Sequence, residues 1–277
     1  MANFVANTIV LDGAPTSSQQ DTCFALVGYK NDIPTSTYSG QNADSTYPFA
    51  NCLDYRDNTQ YSPAADSGSV EIIISKQSLF TVDYFGLALH NGFSAGLTGK
   101  VEMQNPSTNA YEEIATFTPY GTNKTICEYL GTKEAFRFKI TLNFTSKLFI
   151  GALYLGKSWS LGRQPDIGLK PASLNNVDEV VGFNDNNGQF VIGRVETVGF
   201  DTDASFSLIP MLGDNGIRAN WPSFQTHCKM SRPFFFKWSV SNNDNTFGQY
   251  KNPSSMPDIT YSTPFHGTVP IKMRGRD

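Results

Sequence analysis

VDYFGLALHNGF, residues 82–93, is an apolar run that stops abruptly at His90-Asn91-Gly92. Its short length, its internal glycine and its aromatic and aliphatic side chains read as a strand covered on both faces. At its end the chain turns out of a β-layer. The rival reading is a strand that delivers a catalytic histidine. A nucleophile system needs a Ser, Cys or Thr within reach of the imidazole, and usually a carboxylate behind it. No Gly-x-Ser-x-Gly elbow occurs, and His90, His227 and His266 stand in unlike contexts without the i, i+4 spacing of a helical metal pair. His90 therefore reads as a strand-end residue bonded to a loop carbonyl. Asn91-Gly92 reads as a turn that needs positive φ.

The same texture extends outward. In AFRFKITLNF (135–144), Phe136, Phe138, Ile140, Leu142 and Phe144 alternate with Arg137, Lys139, Thr141 and Asn143. That period of two predicts a half-buried strand. SVEIIIS (69–75) reads as a shorter strand and LFIGALYLG (148–156) as a second one covered on both faces. Turn signals fall at Asn91-Gly92, Asn105-Pro106, Tyr120-Gly121 and Leu130-Gly131. YPFANCLDY (47–55) offers one brief helix or turn, and no segment carries a capped, sustained helical repeat. After about residue 156 a turn-rich stretch intervenes. Strands then return in GQFVIGRVETVGF (188–200), ASFSLIPML (204–212), RPFFFKWSV (232–240) and GTVPIKM (267–273).

Composition agrees with an all-β chain. Charged residues are 17 %, under the roughly 25 % usual for soluble domains, while aromatics reach 13 % and 23 Gly and 15 Pro supply turns. At 277 residues there is room for two cores. A formal charge of −4 gives no basic footprint for nucleic acid, and no stretch is long and apolar enough for a membrane span. The start lacks the charged-then-apolar layout of a signal peptide, so synthesis in the cytoplasm is expected.

Cys23, Cys52, Cys127 and Cys228 are widely spaced with no C-x-x-C pair, which predicts buried reduced thiols rather than zinc. His227 and Cys228 adjoin in sequence, but neighbours in a strand point to opposite faces. FNDNNGQF (183–190) reads as a hairpin turn, since Gly188 does not fall where a calcium loop needs it. Asp54, Asp57, Glu112, Glu113, Asp201 and Asp203 give no recognisable catalytic pair. The phosphate loop and the dinucleotide fingerprint are absent. No catalytic residue, metal or cofactor is expected.

In RPFFFKW, Phe234, Phe235, Phe236 and Trp238 crowd both faces of one strand. They read as core, or as an assembly interface with a neighbouring subunit, because obligate interfaces also favour aromatics.

The order YPFANCLDYRDNTQYSP, VDYFGLALHNGF, AFRFKITLNF, LFIGALYLGKS, within roughly residues 40–156, resembles the galactose-binding-like (discoidin-type) β-sandwich. The resemblance implies glycan contact through loop side chains, here Tyr55, Arg56, Asp57, Tyr61 and Phe93. Gly193-Arg194, Trp221, Phe224, His227 and the run from Arg232 to Trp238 resemble minor tail proteins of tailed bacteriophages, which carry a β-rich module similar to a distal-tail or baseplate hub protein.

The expectation is thus a galactose-binding-like β-sandwich over 1–156 and a β-rich, tail-hub-like assembly domain over 157–277, with 1–40 an arm or added strands. The function this implies is a structural part of a phage tail tip or baseplate, made in the host cytoplasm and housed in the virion. It would form a homo-oligomeric ring with other tail proteins as partners. The alternative is a non-catalytic module that binds host-surface glycan.

Overall fold

The computed structural model describes residues 24–56, 58–121, 123–170, 176–184, 190–241, 245–256 and 258–275; at 176–184, 190–198, 255 and 262 it describes backbone only. Cys23, Asp57 and the turn at 185–188 lie outside the described residues.

Among the described residues the fold is all-β apart from one helix and a few short turns of helix. Its first strand, β1 (Leu26–Gly28), leaves at once for a sheet whose other strands all come after residue 156. The sandwich then opens with β2 (Thr37–Ser39) and continues through β3 (Gly68–His90), β4 (Thr98–Gln104), β5 (Tyr111–Phe117), β6 (Thr125–Phe144) and β7 (Ile150–Gly156). These six pair antiparallel in the order β2-β3-β6-β4-β5, with β7 on β3. The long β3 joins SVEIIIS and VDYFGLALH into one strand; its first half holds β2 and its second half holds β7. The sheet curls around its own core. Phe85 of β3 stacks on Phe117 of β5 at 4.6 Å although two strands separate them in the sheet.

Two local expectations are corrected. Phe136 does not join the apolar face of β6: it is 41 % exposed, while Ala135, Phe138, Ile140, Leu142 and Phe144 are buried. Between the pairs Ser75↔Arg137 and Phe80↔Ala135, β3 spends four residues where β6 spends one, and this irregularity turns Phe136 outward. Leu130-Gly131 is no turn between strands; Gly131 takes φ 64° inside the continuous β6. The brief helix or turn expected within 47–55 is there, a single 3-10 turn, Phe49–Cys52.

The second sheet adds β8 (Trp159–Ser160), β9 (Asn176–Asn184), β10 (Phe190–Pro210), β11 (Phe234–Lys237), β12 (Asn245–Tyr250), β13 (Thr260–Thr263) and β14 (His266–Gly275). Its order is β8-β1-β11-β12-β14-β10-β9, with β13 on β14. Because β1 sits between β8 and β11, the boundary expected at 156/157 is crossed by the N-terminal segment.

A helix not expected from the sequence, α1 (Ile217–Lys229), packs on this sheet. Ile217, Trp221, Phe224 and Cys228 are buried and recur at helical spacing, and Phe224 meets Phe234 edge-on at 5.0 Å. His227 and Cys228 therefore lie on a helix rather than on opposite faces of a strand.

The two sheets share a third apolar layer. Tyr84 and Ala88 of β3 and Ala152 and Tyr154 of β7 face away from the sandwich core and meet Leu26, Phe235 and Phe247 of the second sheet. Phe234 and Phe236 point the other way, into the core under α1. All three phenylalanines are at most 1 % exposed, so the assembly role expected for Phe234, Phe235 and Phe236 is corrected: the chain itself covers both faces of β11. Trp238, half-buried, packs against the core under α1.

Candidate functional site

The strand that ends in His90 ends beside a cleft. Near its end, between the pairs Ala88↔Ala152 and His90↔Ile150, Leu89 stands opposite Gly151 and takes φ 54°. A Cβ on Gly151 would lie 2.7 Å from the Cβ of Leu89, so the glycine makes room for this left-handed residue. His90 itself is 3 % exposed, and its Nδ1 accepts the Gly92 N–H at 3.0 Å. That corrects the expected bond to a carbonyl. The proton consequently sits on Nε2, which is buried without a partner. Desolvation pushes the imidazole down to about 4. The positive φ expected at Asn91-Gly92 falls instead on Leu89 and Gly96.

The cleft lies between the sheets and has a volume of about 520 Å³. Its floor is Tyr154 and Phe247 from the shared layer together with Phe200 of β10. Gly248 and Gly275 face each other across β12 and β14. A Cβ on Gly275 would fall 2.1 Å from the Phe200 ring, so this glycine makes room for the ring. Tyr55, Arg56, Gln249, Lys251, Asn252 and Arg274 rise around the mouth. Tyr55 is wedged edge-on against Tyr154 at 5.8 Å and His227 at 5.9 Å, with the Arg232 guanidinium over its ring at 4.9 Å. Arg56 is exposed, its backbone N–H held by Asp54 Oδ1 at 2.9 Å.

Two of the side chains around the mouth are tied by Asp201, which binds Arg274 Nε at 2.9 Å and also pairs with Lys251. The Arg274 hydrogen bond, against some desolvation, holds the Asp201 carboxyl below its ordinary range. Three non-glycine residues with left-handed backbone, Tyr55, Leu89 and Asn252, line this one cleft. Such conformations are costly and cluster where a site over-determines them.

Of the expected glycan contacts, the fold brings Tyr55 and Arg56 together here. Asp57 lies outside the described residues. Tyr61 is corrected: it is fully buried, its hydroxyl donates to the Gln41 carbonyl, and its backbone bridges to Ile150. Phe93, 60 % exposed in the turn after β3, is not part of the cleft wall. Sequence reading missed Phe200, Gln249, Lys251 and Arg274. The short motifs GQYK (248–251) and KMRG (272–275) become a site only once β12 and β14 pair.

Cys52, Cys127 and Cys228 are free and buried. Burial raises all three thiols, Cys127 to about 12. Among the described residues no group of three or more His, Cys, Asp or Glu side chains comes together as a metal site. No described helix is long and apolar enough to cross a membrane.

No protein-family model matches the sequence, and no curated protein matches it. Among solved structures, the chain is similar to the carbohydrate-binding module CBM32-1 of a Clostridium perfringens family 31 glycoside hydrolase. There identity is 15 % over 47 % of this chain and 99 % of that one, with a TM-score of 0.38. It is similar to chitosan-binding module 1 of a Paenibacillus chitosanase/glucanase at 12 % identity, over 46 % of this chain and 98 % of that one, with a TM-score of 0.37. A Ruminococcus gnavus GH29 fucosidase matches at 17 % identity and a TM-score of 0.38 over 47 % of this chain, which spans 27 % of the fucosidase's length.

Proposed function

We propose that the chain binds carbohydrate, without chemistry on it, in the inter-sheet cleft. The observation that supports this reading is the half-buried ring of Tyr55 standing with Arg56, Gln249 and Arg274 around the mouth of the cleft. A sugar ring has an apolar C–H face and an edge of hydroxyls. Aromatic surface takes the first, and fixed planar donors and acceptors take the second. The wedged Tyr55 and the ion-paired Arg274 are pre-positioned, which lowers the ordering cost of binding.

A glycan array on the intact chain, followed by calorimetry on its strongest ligand, tests the reading. Arg56→Ala removes an exposed side chain, so the melting temperature should hold while Kd rises about ten-fold or more, as for a lost charge-assisted hydrogen bond. An array without ligands, or an unchanged Kd in both Arg56→Ala and Gln249→Ala, would sink it.

The second reading is the structural one, a part of a phage tail tip in a homo-oligomeric ring within the virion. It keeps the sequence resemblance of the last third of the chain and has one observation in its favour. Leu208, Leu212, Tyr261 and Phe265 are between 50 % and 71 % exposed where the end of β10 meets the β13–β14 hairpin. Quantitative mass spectrometry of purified tailed particles should then find a fixed number of copies per particle. Absence from particles would leave glycan binding alone.

A further inference from the structure

A second recess lies where the β5–β6 hairpin faces β12. It has a volume of about 210 Å³, and its wall includes Thr116, Thr118, Tyr120, Thr125, Glu128 and Asn245. Asn245 is 8 % exposed, and its Oδ1 accepts no hydrogen bond. A buried acceptor left unmade is costly, and such an atom in a native protein calls for a partner. Of the buried polar atoms without a partner among the described residues, Asn245 Oδ1 alone belongs to a residue lining either recess.

The register supplies the rest of the site. Asn245 stands opposite Lys237 across β11 and β12, so both side chains project from one face of the sheet, the face turned to β6. There the Lys237 ammonium, with 2 % of its side chain exposed, donates to the Cys127 carbonyl at 2.9 Å and lies 3.9 Å from Glu128 Oε2. Lys237 thus balances the charge of Glu128, and Glu128 and Asn245 are both among the residues that line the recess.

This arrangement selects its ligand by elimination. Two acceptors want a donor, which excludes a ligand made only of acceptors. An anion would meet Glu128, and a cation would meet the buried ammonium with a single carboxylate to hold it. What remains is an uncharged group bearing several hydroxyls. Threonine hydroxyls on the wall can donate or accept to suit it. Tyr120, 68 % exposed at the lip, offers an aromatic face to an apolar C–H surface.

We propose that the recess between the β5–β6 hairpin and Asn245 is a binding site for the hydroxyl edge of one neutral sugar ring. It is separate from the inter-sheet cleft and stands whether or not that cleft binds anything.

The test is amide chemical-shift mapping on the intact chain. The neutral probes are methyl α-D-glucopyranoside and methyl β-D-galactopyranoside; sodium glucuronate and calcium chloride are the charged ones. A neutral glycoside should move the amides of 116–128 and 245–247 and should do so equally in Arg56→Ala, which leaves this recess untouched. Tyr120→Ala, at an exposed position, should raise Kd at least about ten-fold. Asn245→Leu should keep the fold, with a melting temperature no lower than the parent's, and should lose the response. The proposal is overturned if only calcium or glucuronate moves these amides, if no probe does, or if both variants bind as the parent does.

Discussion

Phe235→Ala is expected to lower the unfolding free energy by about 3–5 kcal/mol, the range for emptying a buried aromatic site. Phe235 is fully buried and is the ring on which the shared layer turns. It lies 5.1 Å from Tyr154, 4.6 Å from Phe247 and 6.5 Å from Tyr84, centroid to centroid. The space it leaves is bounded by two sheets with separate cores, neither of which can close over it without moving against the other.

The converse change should also be felt. A Cβ on Gly86 would come 2.5 Å from the Phe235 ring, so Gly86→Ala should cost about 1–3 kcal/mol by overpacking. Combined with Phe235→Leu, the alanine gains room, and the pair should cost less than the sum of the singles. Urea unfolding of the four proteins reads this directly. Additive losses would mean that the two sheets do not meet at this point.

The second large effect is on acid stability, and it comes from His90. Its folded pKa, about 4, lies below the 6.5 of a free imidazole, so the fold prefers the neutral ring. That preference is fully present above pH 6.5 and fades as pH falls toward 4, where the buried ring must take up a second proton. The drop is worth about 3 kcal/mol at roughly 1.4 kcal/mol per pH unit. Burial raises Asp83 and Glu128, which act in the opposite direction, and lowers His227, which acts in the same one. A comparison with His90→Gln cancels these contributions. Between pH 7 and pH 4 the parent should lose about 3 kcal/mol more than His90→Gln does. Parallel pH profiles would show that the imidazole is not held neutral.

The sandwich was legible because its strands obey one rule at a time. VDYFGLALH (82–90) is covered on both faces, and the AFRFKITLNF pattern holds from Phe138 onward. It fails at Phe136, where the cause lies in extra residues on the partner strand and so outside the window that periodicity inspects. The helix was missed although Ile217, Trp221, Phe224 and Cys228 carry a helical repeat. Pro222 within it, and Gly216 at its start without a side-chain cap, remove the usual local signals. The aromatic run 234–236 correctly read as covered twice, but only the fold says by what: α1 on one side and the sandwich on the other. The cleft was half legible. Tyr55 and Arg56 are neighbours in sequence, whereas Phe200, Gln249 and Arg274 converge through strand pairings that no local pattern encodes.

The position of β1 also sets a timetable. Leu26, Val27 and Gly28 are made early, yet their partners Phe235, Phe236 and Lys237 leave the ribosome roughly 200 residues later, a long loop to close before any contact rewards it. Until then β1 has only the two-residue β8 to pair with, and the outward-facing Tyr84 and Tyr154 of the finished sandwich lack Phe235 and Phe247 over them. The nascent chain therefore passes through a stage with this apolar face bare. In that interval it is open to association with other chains, and slower synthesis over residues 157–237 lengthens the exposure rather than relieving it.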